Sequence, residues 1–123
     1  MSDITYPCPC CGYLVFSEAP GSYAICPLCY WEDDIEQLRY PSFAGGANAP
    51  SLIDSQRNTI NFGAMEQEFL KFVRSPRSHE LLDVGWRPLD LAVDEIVEPF
   101  ARGERNVLDP TRLYWWRSNY WLL

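Results

Sequence analysis

Short apolar runs and helically spaced apolar residues follow one another along this chain, and they predict an N-terminal β-hairpin followed by helices. Residues 13–16 and 23–25 are typical of short strands. Pro20-Gly21 between them suits the centre of a type II turn, because proline presets φ and glycine accepts a positive φ. The pattern therefore predicts a hairpin with a pair of cysteines at each open end.

The middle of the chain predicts two helices. Ser51 and Asp54 match a capping box and Gly63 offers a stop, which predicts a helix between them. A second helix is predicted from Ala64 to Arg74, before Ser75-Pro76. The apolar faces of the two helices comprise Leu52, Ile53, Gln56 and Ile60, then Met65, Phe69, Leu70, Phe72 and Val73.

Residues 76–123 have a weaker pattern. Arg87 to Glu98 predicts a helix that ends before Pro99. Asp109-Pro110 suits the N-cap and first turn of a helix over 111–121, although a strand stays open because Tyr and Trp favour strands. The stripe of that helix comprises Leu113, Trp116, Tyr120 and Leu123.

Length and composition indicate one folded domain. The chain has 123 residues, 47% of them hydrophobic, which is enough for one modest core. We expect an α+β fold in which a zinc-ribbon-like hairpin packs against several helices. Residues 1–75 form the cysteine module with its following helices, and 76–123 form a C-terminal extension on the same core. No apolar run is long enough to span a membrane, and the first residues do not resemble a signal peptide, so we expect a cytoplasmic protein.

The charge balance bears on the partner. The formal net charge is −7, which disfavours phosphate backbones and favours a basic protein surface. Residues 1–62 hold seven acids and two bases, so the half with the cysteines is the more acidic. Nucleic acid is therefore an unlikely partner.

The strongest chemical signal is a pair of C-x₂-C motifs. Cys8 with Cys11 and Cys26 with Cys29 stand fourteen residues apart. Two such turns present four thiolates in a tetrahedron, as Zn²⁺ prefers, and a reducing compartment favours metal over disulfides. We predict a structural Zn²⁺ site, with iron as the lesser alternative.

Cys10 is the remaining cysteine, and it lies between two predicted ligands. Pairing Cys10 with Cys11 instead of Cys8 would make too tight a turn, and Gly12 suits the positive φ that ends this kind of turn. Tyr30 departs from that pattern at the second turn. We expect Cys10 to be a packed, inert thiol, although an activated thiol stays open.

Three blocks around these cysteines closely resemble the bacterial cysteine-rich CPCC family: Tyr6 to Tyr13, Pro20 to Tyr23 and Ile25 to Asp34. The resemblance continues through Gln37-Leu38-Arg39, Gly45 to Asn48, Ser51-Leu52 and Phe69 to Arg74, and it covers about residues 5–75. It implies a small bacterial metal-binding protein without a known catalytic set. Some members resemble neighbours of secreted polymorphic toxins, which implies an immunity role.

Two clusters are candidate partner-binding residues: the acidic run with Trp31, Glu32, Asp33, Asp34 and Glu36, and the tail with Trp115, Trp116 and Trp121. Carboxylates there suit the arginines and lysines of a partner, and tryptophan is enriched at interfaces. Helix capping and core packing are the competing explanations. His79, the only histidine, has no motif to form a catalytic dyad.

These observations predict a non-enzymatic zinc protein that binds a basic protein, with neutralisation of a cognate bacterial toxin as its role. A nucleic-acid-associated zinc ribbon is the alternative, and a rubredoxin-like iron protein is the third. The sequence leaves the oligomeric state and the identity of the partner open.

Overall fold

The computed structural model describes residues 5–98 and 108–122 of the chain. The elements in order are strands β1 (Tyr6–Pro7) and β2 (Leu14–Phe16), helices α1 (Ile35–Arg39) and α2 (Leu52–Phe62), and 3₁₀-helices Gln67–Phe72 and Pro110–Leu113. Strands and helices thus form an α+β domain. Within the described ranges, no helix has the length and apolar character needed to cross a membrane.

The predicted hairpin is wrong in its pairing. Strand β2 pairs antiparallel with β1, across the first cysteine turn, and residues 23–25 do not join it. Tyr23 instead takes a positive φ of 60°, and its N–H donates to the carbonyl of Asp33 at 3.1 Å. Ile25 bridges Glu32 across the second cysteine turn. Each C-x₂-C turn therefore lies at the tip of its own short hairpin, since the residues that flank it on both sides pair with each other.

Helix α2 confirms its predicted ends. Ser51 is the N-cap and its hydroxyl accepts from the N–H of Asp54 at 3.1 Å, while Gly63 ends the helix at a φ of 105°. Leu52, Ile53 and Gln56 are buried as predicted, whereas Ile60 is exposed. The buried face lies nearer the N-terminal end than the pattern indicated.

The second predicted helix is shorter and tighter than expected. A 3₁₀-helix covers only Gln67–Phe72, because the Glu66 N-cap supplies no side-chain hydrogen bond and the flanking backbone is committed elsewhere. The N–H of Met65 donates to the backbone carbonyl of Cys29, and the N–H of Arg74 donates to the carbonyl of Pro27. These two bonds lay the segment over the second cysteine turn. Leu70 and Phe72 are exposed instead of buried.

The helix predicted from Arg87 to Glu98 does not form. Residues 91–93 make a turn, in which Asp94 donates its N–H to the carbonyl of Asp90 at 2.8 Å. Arg87 pairs with the Asp94 carboxylate through two contacts, which fixes the turn without a helix. Pro99, the predicted stop, lies outside the described residues.

The helix predicted over 111–121 is wrong in length, and the strand alternative does not form either. The Asp109 carboxylate caps Thr111 as predicted, but the 3₁₀-helix ends at Leu113 and turns follow it. Leu113 and Tyr120 are buried, Trp116 is half-buried, and Leu123 lies outside the described residues. Two turns rather than one helix bring these side chains to the core.

Residues 81–86 pack on the first cysteine turn. Leu14 donates its N–H to Leu81 and Asp83 donates its N–H to Gly12, both at 2.8 Å. The Trp86 ring covers Gly12 so closely that a Cβ there would overlap it. One hydrophobic cluster therefore joins the cysteines, α1, α2 and the aromatic tail.

Candidate metal centre

The four predicted ligands, Cys8, Cys11, Cys26 and Cys29, come together, with all their Sγ atoms within 4.8 Å of one another. Cys8 and Cys29 are 3.6 Å apart and Cys11 and Cys26 are 3.7 Å apart. A tetrahedron with metal–sulfur bonds of about 2.3 Å has edges of about 3.8 Å, whereas a disulfide is about 2.05 Å long. The thiols are unbonded and spaced as the corners of a metal site.

The two turns that carry these thiols share one backbone geometry. The N–H of Gly12 donates to the backbone carbonyl of Cys8 at 2.6 Å, and the N–H of Tyr30 donates to the carbonyl of Cys26 at 2.9 Å. A second pair of backbone bonds is equivalent too, since the N–H of Cys8 donates to the carbonyl of Tyr13 and the N–H of Cys26 donates to the carbonyl of Trp31. Each turn folds the chain back so that both of its sulfurs point to one side.

Both turns end in a left-handed residue, although only one of them has glycine there. Gly12 has a φ of 85° and Tyr30 has a φ of 73°. The Tyr30 ring stacks on Phe69 with ring centroids 4.5 Å apart and on Phe72 at 5.4 Å. These stacks offset the backbone cost of about 1 kcal/mol that a side chain at positive φ carries.

Cys10 lies outside the metal cluster. Aligning the two turns places Cys10 opposite Leu28, and both side chains are buried. The Cys10 sulfur lies 3.4 Å from Thr59 Oγ1, and the Thr59 hydroxyl donates to the carbonyl of Ser55. The Cys10 thiol is therefore the donor to Thr59. It fills the core position that leucine fills in the second turn.

Burial and the neighbouring thiols shift the pKa values of the four cysteines. Burial raises the pKa of Cys8 and of Cys29 well above the usual value. Burial also opposes ionisation of Cys26, but hydrogen bonds from Cys11, Cys29, Cys8 and the N–H of Leu28 lower its pKa. One buried thiolate is thus favoured at the expense of its neighbours. Four thiolates together need a cation, which is what a structural metal supplies.

Comparison with models of protein families matches residues 6–80 to the family described as cysteine-rich CPCC. The chain belongs to that family. The match covers both cysteine turns and ends where the C-terminal segment crosses back to the first turn. A search of curated proteins found no similar sequence.

This CPCC protein holds its second cysteine turn with a buried amide clasp formed by Gln37 and Asn48. The Gln37 Nε2 donates to the carbonyls of Phe43, Asn48 and Pro50 at 3.0–3.1 Å, and its Oε1 accepts from Asn48. The Asn48 side chain accepts from the N–H of Glu32 at 2.8 Å and donates to the Glu32 carbonyl at 2.9 Å. Sequence reasoning missed this clasp, although both residues lie in the blocks that carry the family resemblance.

Gly46 allows the clasp to close. A Cβ at Gly46 would lie 2.6 Å from Asp34 Oδ2 and 2.9 Å from Gln37 Cδ. That Asp34 oxygen accepts from the N–H of Ala47 at 2.8 Å, while Oδ1 caps α1 through the N–H of Glu36. The close backbone approach requires glycine at position 46.

The acidic run is not the surface patch that the sequence predicted. Trp31 is 0% exposed, Asp33 2% and Asp34 6%, because Trp31 is in the core and the two carboxylates bond to backbone. Asp33 accepts from the N–H and hydroxyl of Ser22, and burial raises its pKa. Of the predicted patch, Glu32 is half-buried and Glu36 is exposed.

The tail tryptophans also pack inward. Trp115 is buried and its Nε1 donates to the carbonyl of Arg87 at 3.0 Å. Trp116 and Trp121 are half-buried, and the Trp116 Nε1 donates to Asp83 Oδ2 at 2.8 Å. Their apolar surface therefore serves the core, as the competing explanation had it, and Trp115 is not available to a partner. Partner binding at the half-buried Trp116 and Trp121 stays a prediction. His79 is exposed.

Proposed function

We propose that this CPCC protein is a non-enzymatic binding protein whose fold is organised by a structural Zn²⁺ held by Cys8, Cys11, Cys26 and Cys29. The observation that carries the proposal is the closed set of four thiols, three of them fully buried. Zn²⁺ favours four-coordinate sulfur sites, and a full sulfur shell has no position for substrate or water. Bound there, zinc supplies folding free energy rather than a reaction.

The role of the metal follows from what the cysteine turns support. The backbone carbonyls of Cys29 and Pro27 accept hydrogen bonds from the N–H groups of Met65 and Arg74. The N–H of Glu32 donates to the Asn48 side chain. Locking both turns to one ion therefore also fixes the loops and the 3₁₀-helix around the second turn. Reduced cysteines in this number suit the cytoplasm, which is where we place the protein.

Metal analysis of protein purified under reducing conditions tests the first half of the proposal. We expect one zinc per chain by mass spectrometry of the intact protein. After Co²⁺ replaces zinc, we expect the visible absorption spectrum of Co²⁺ in a tetrahedral site of four thiolates. Iron would give visible absorbance in the purified protein and would support the redox alternative. A metal stoichiometry near zero in folded protein would contradict the proposal.

The partner that we propose is a basic protein, and neutralisation of a bacterial toxin is the role that the resemblance implies. The net charge of −7 supports a basic partner and disfavours nucleic acid. The test is a tagged pull-down from the native host at low and moderate salt. A stoichiometric protein retained at moderate salt, and whose activity this chain inhibits, supports the proposal. Nucleic acid released by salt, or no partner, would contradict it.

A further inference from the structure

A small cavity of about 210 Å³ lies beside the second cysteine turn. Both apolar and acidic residues line it. Its apolar side chains are Ile25, Tyr30, Met65 and Phe69, and its carboxylates are those of Glu32, Glu66 and Glu68. The volume is below the 300–1,000 Å³ of typical small-molecule pockets, so it suits a single side chain.

Three separate chain segments form the cavity, and a hydrogen bond or bridge fixes each of them. Ile25 bridges Glu32 within the cysteine turn. The Asn48 side chain bonds to both backbone groups of Glu32, and Met65 donates its N–H to Cys29 at 2.8 Å. The cavity is therefore preformed, and an occupant would not have to order it.

Within the described residues, the carboxylates that line this cavity form no ion pair. In residues 5–98 and 108–122, no hydrogen bond or ion pair is formed by the side chains of Glu32, Glu66 and Glu68. Two larger cavities differ, since each contains an arginine that an acid already neutralises. Arg87 of the 640 Å³ cavity pairs with Asp94, and Arg74 of the 420 Å³ cavity pairs with Glu80.

We propose that the 210 Å³ cavity receives an arginine side chain from a basic segment of a protein partner. A guanidinium pairs with carboxylates through a planar fork and packs well against aromatic side chains, and Tyr30 and Phe69 line the cavity. Apolar walls accommodate its methylene stem. This inference rests on the proposed function in one respect, since it takes the arginine to belong to a protein partner.

An NMR titration with N-acetyl-arginine amide tests the cavity without any partner. We expect amide shifts concentrated at residues 25–32, 47–49 and 65–69, and much smaller shifts with the neutral isostere N-acetyl-citrulline amide. Replacing Glu66→Gln and Glu68→Gln together should weaken binding by about two- to thirtyfold, the range that two ion pairs near the surface supply. Glu66 is half-buried and Glu68 is exposed. The matched control is Glu18→Gln with Glu95→Gln, which removes two exposed acids outside the cavity.

Equal shifts from arginine and citrulline amides, shifts outside the cavity, or equal weakening in the control variant would each overturn the proposal. The same variants separate it from the proposed function in the host pull-down. A partner retained equally by the Glu66→Gln, Glu68→Gln variant contradicts the arginine cavity while the binding function stands. The absence of any partner, together with a cavity-localised arginine response, contradicts the function and supports the cavity.

Discussion

The two halves of this CPCC protein are held together by different kinds of contact. Residues 5–65 are joined by directional bonds: four converging thiols, a buried amide clasp and capped helices. Residues 66–122, where described, contain only two short 3₁₀-helices. Three internal ion pairs, aromatic packing and single backbone hydrogen bonds to the two cysteine turns fix them. The first half sets its own geometry, whereas the second takes its geometry from the surface it covers.

Exposure shows the same contrast. Val84 is 93% exposed and Leu108 is 96% exposed, both in the second half. The buried side chains of that half, such as Leu113 and Tyr114, join the cluster that contains the cysteines. We infer that loss of the metal cluster destabilises both halves, while loss of a contact in the second half leaves the cluster intact.

The largest effect should come from removing one thiol of the cluster. Cys26→Ser should lose the metal and cooperative unfolding of the whole chain, since structural zinc contributes about 10–16 kcal/mol of binding free energy in small domains. Metal content and thermal unfolding measure this. Cys10→Ser is the control, and it should keep the metal because Thr59 can accept from the new hydroxyl. Equal loss of metal from both variants would contradict the ligand set.

A smaller loss is expected from the amide clasp. Gln37→Ala should cost about 3 kcal/mol, because it leaves buried carbonyls and the Asn48 amide without their partner. Urea unfolding of the metal-loaded protein measures the change. Gln67→Ala, at an exposed position, should change the free energy of unfolding by less than about 0.5 kcal/mol. Similar losses would show that the clasp does not hold the fold.

A contact of the second half should matter less and should act locally. Asp83 Oδ2 accepts from Trp116 Nε1 and from Arg117 at 3.0 Å, so Asp83→Asn should cost about 1–2 kcal/mol. The metal content should stay at the wild-type value, and Glu95→Gln serves as the control at an exposed site. Metal loss from Asp83→Asn would show that the two halves are coupled more tightly than the contacts indicate.

The smallest effect concerns the ion pair of Glu80. The Arg74 guanidinium and the N–H of Arg77 lower the pKa of Glu80 from 4.5 to about 2. Because the folded pKa lies below the unfolded one, the pair stabilises the fold above pH 4.5, and this stabilisation is lost as the pH falls towards 2. Carboxyl NMR between pH 7 and 2 should find the pKa of Glu80 near 2. Arg74→Met should raise this pKa towards 4.5, and an unchanged titration would contradict the pairing.

Local patterns predicted the features that local chemistry controls. The cysteine cluster, the ends of α2 and the Asp109 cap each depend on a few residues close in the chain, so their patterns predicted them. The hairpin pairing and the lengths of the later helices could not be predicted in this way, because the choice of strand partner and tertiary hydrogen bonds override the helix and strand propensities of single segments. Met65 and Arg74, for example, bond to the second cysteine turn instead of extending a helix.

The sequence by itself determined which four cysteines converge, the family and the acidic charge, since residue type and short spacing are sufficient for each. Only the tertiary structure decided which acids and aromatics reach the surface. Trp31, Asp33 and Asp34 are buried, whereas Glu66 and Glu68 join Glu32 around a cavity. Residues distant in the chain form that cavity, and no pattern along a single segment encodes which distant segments will meet.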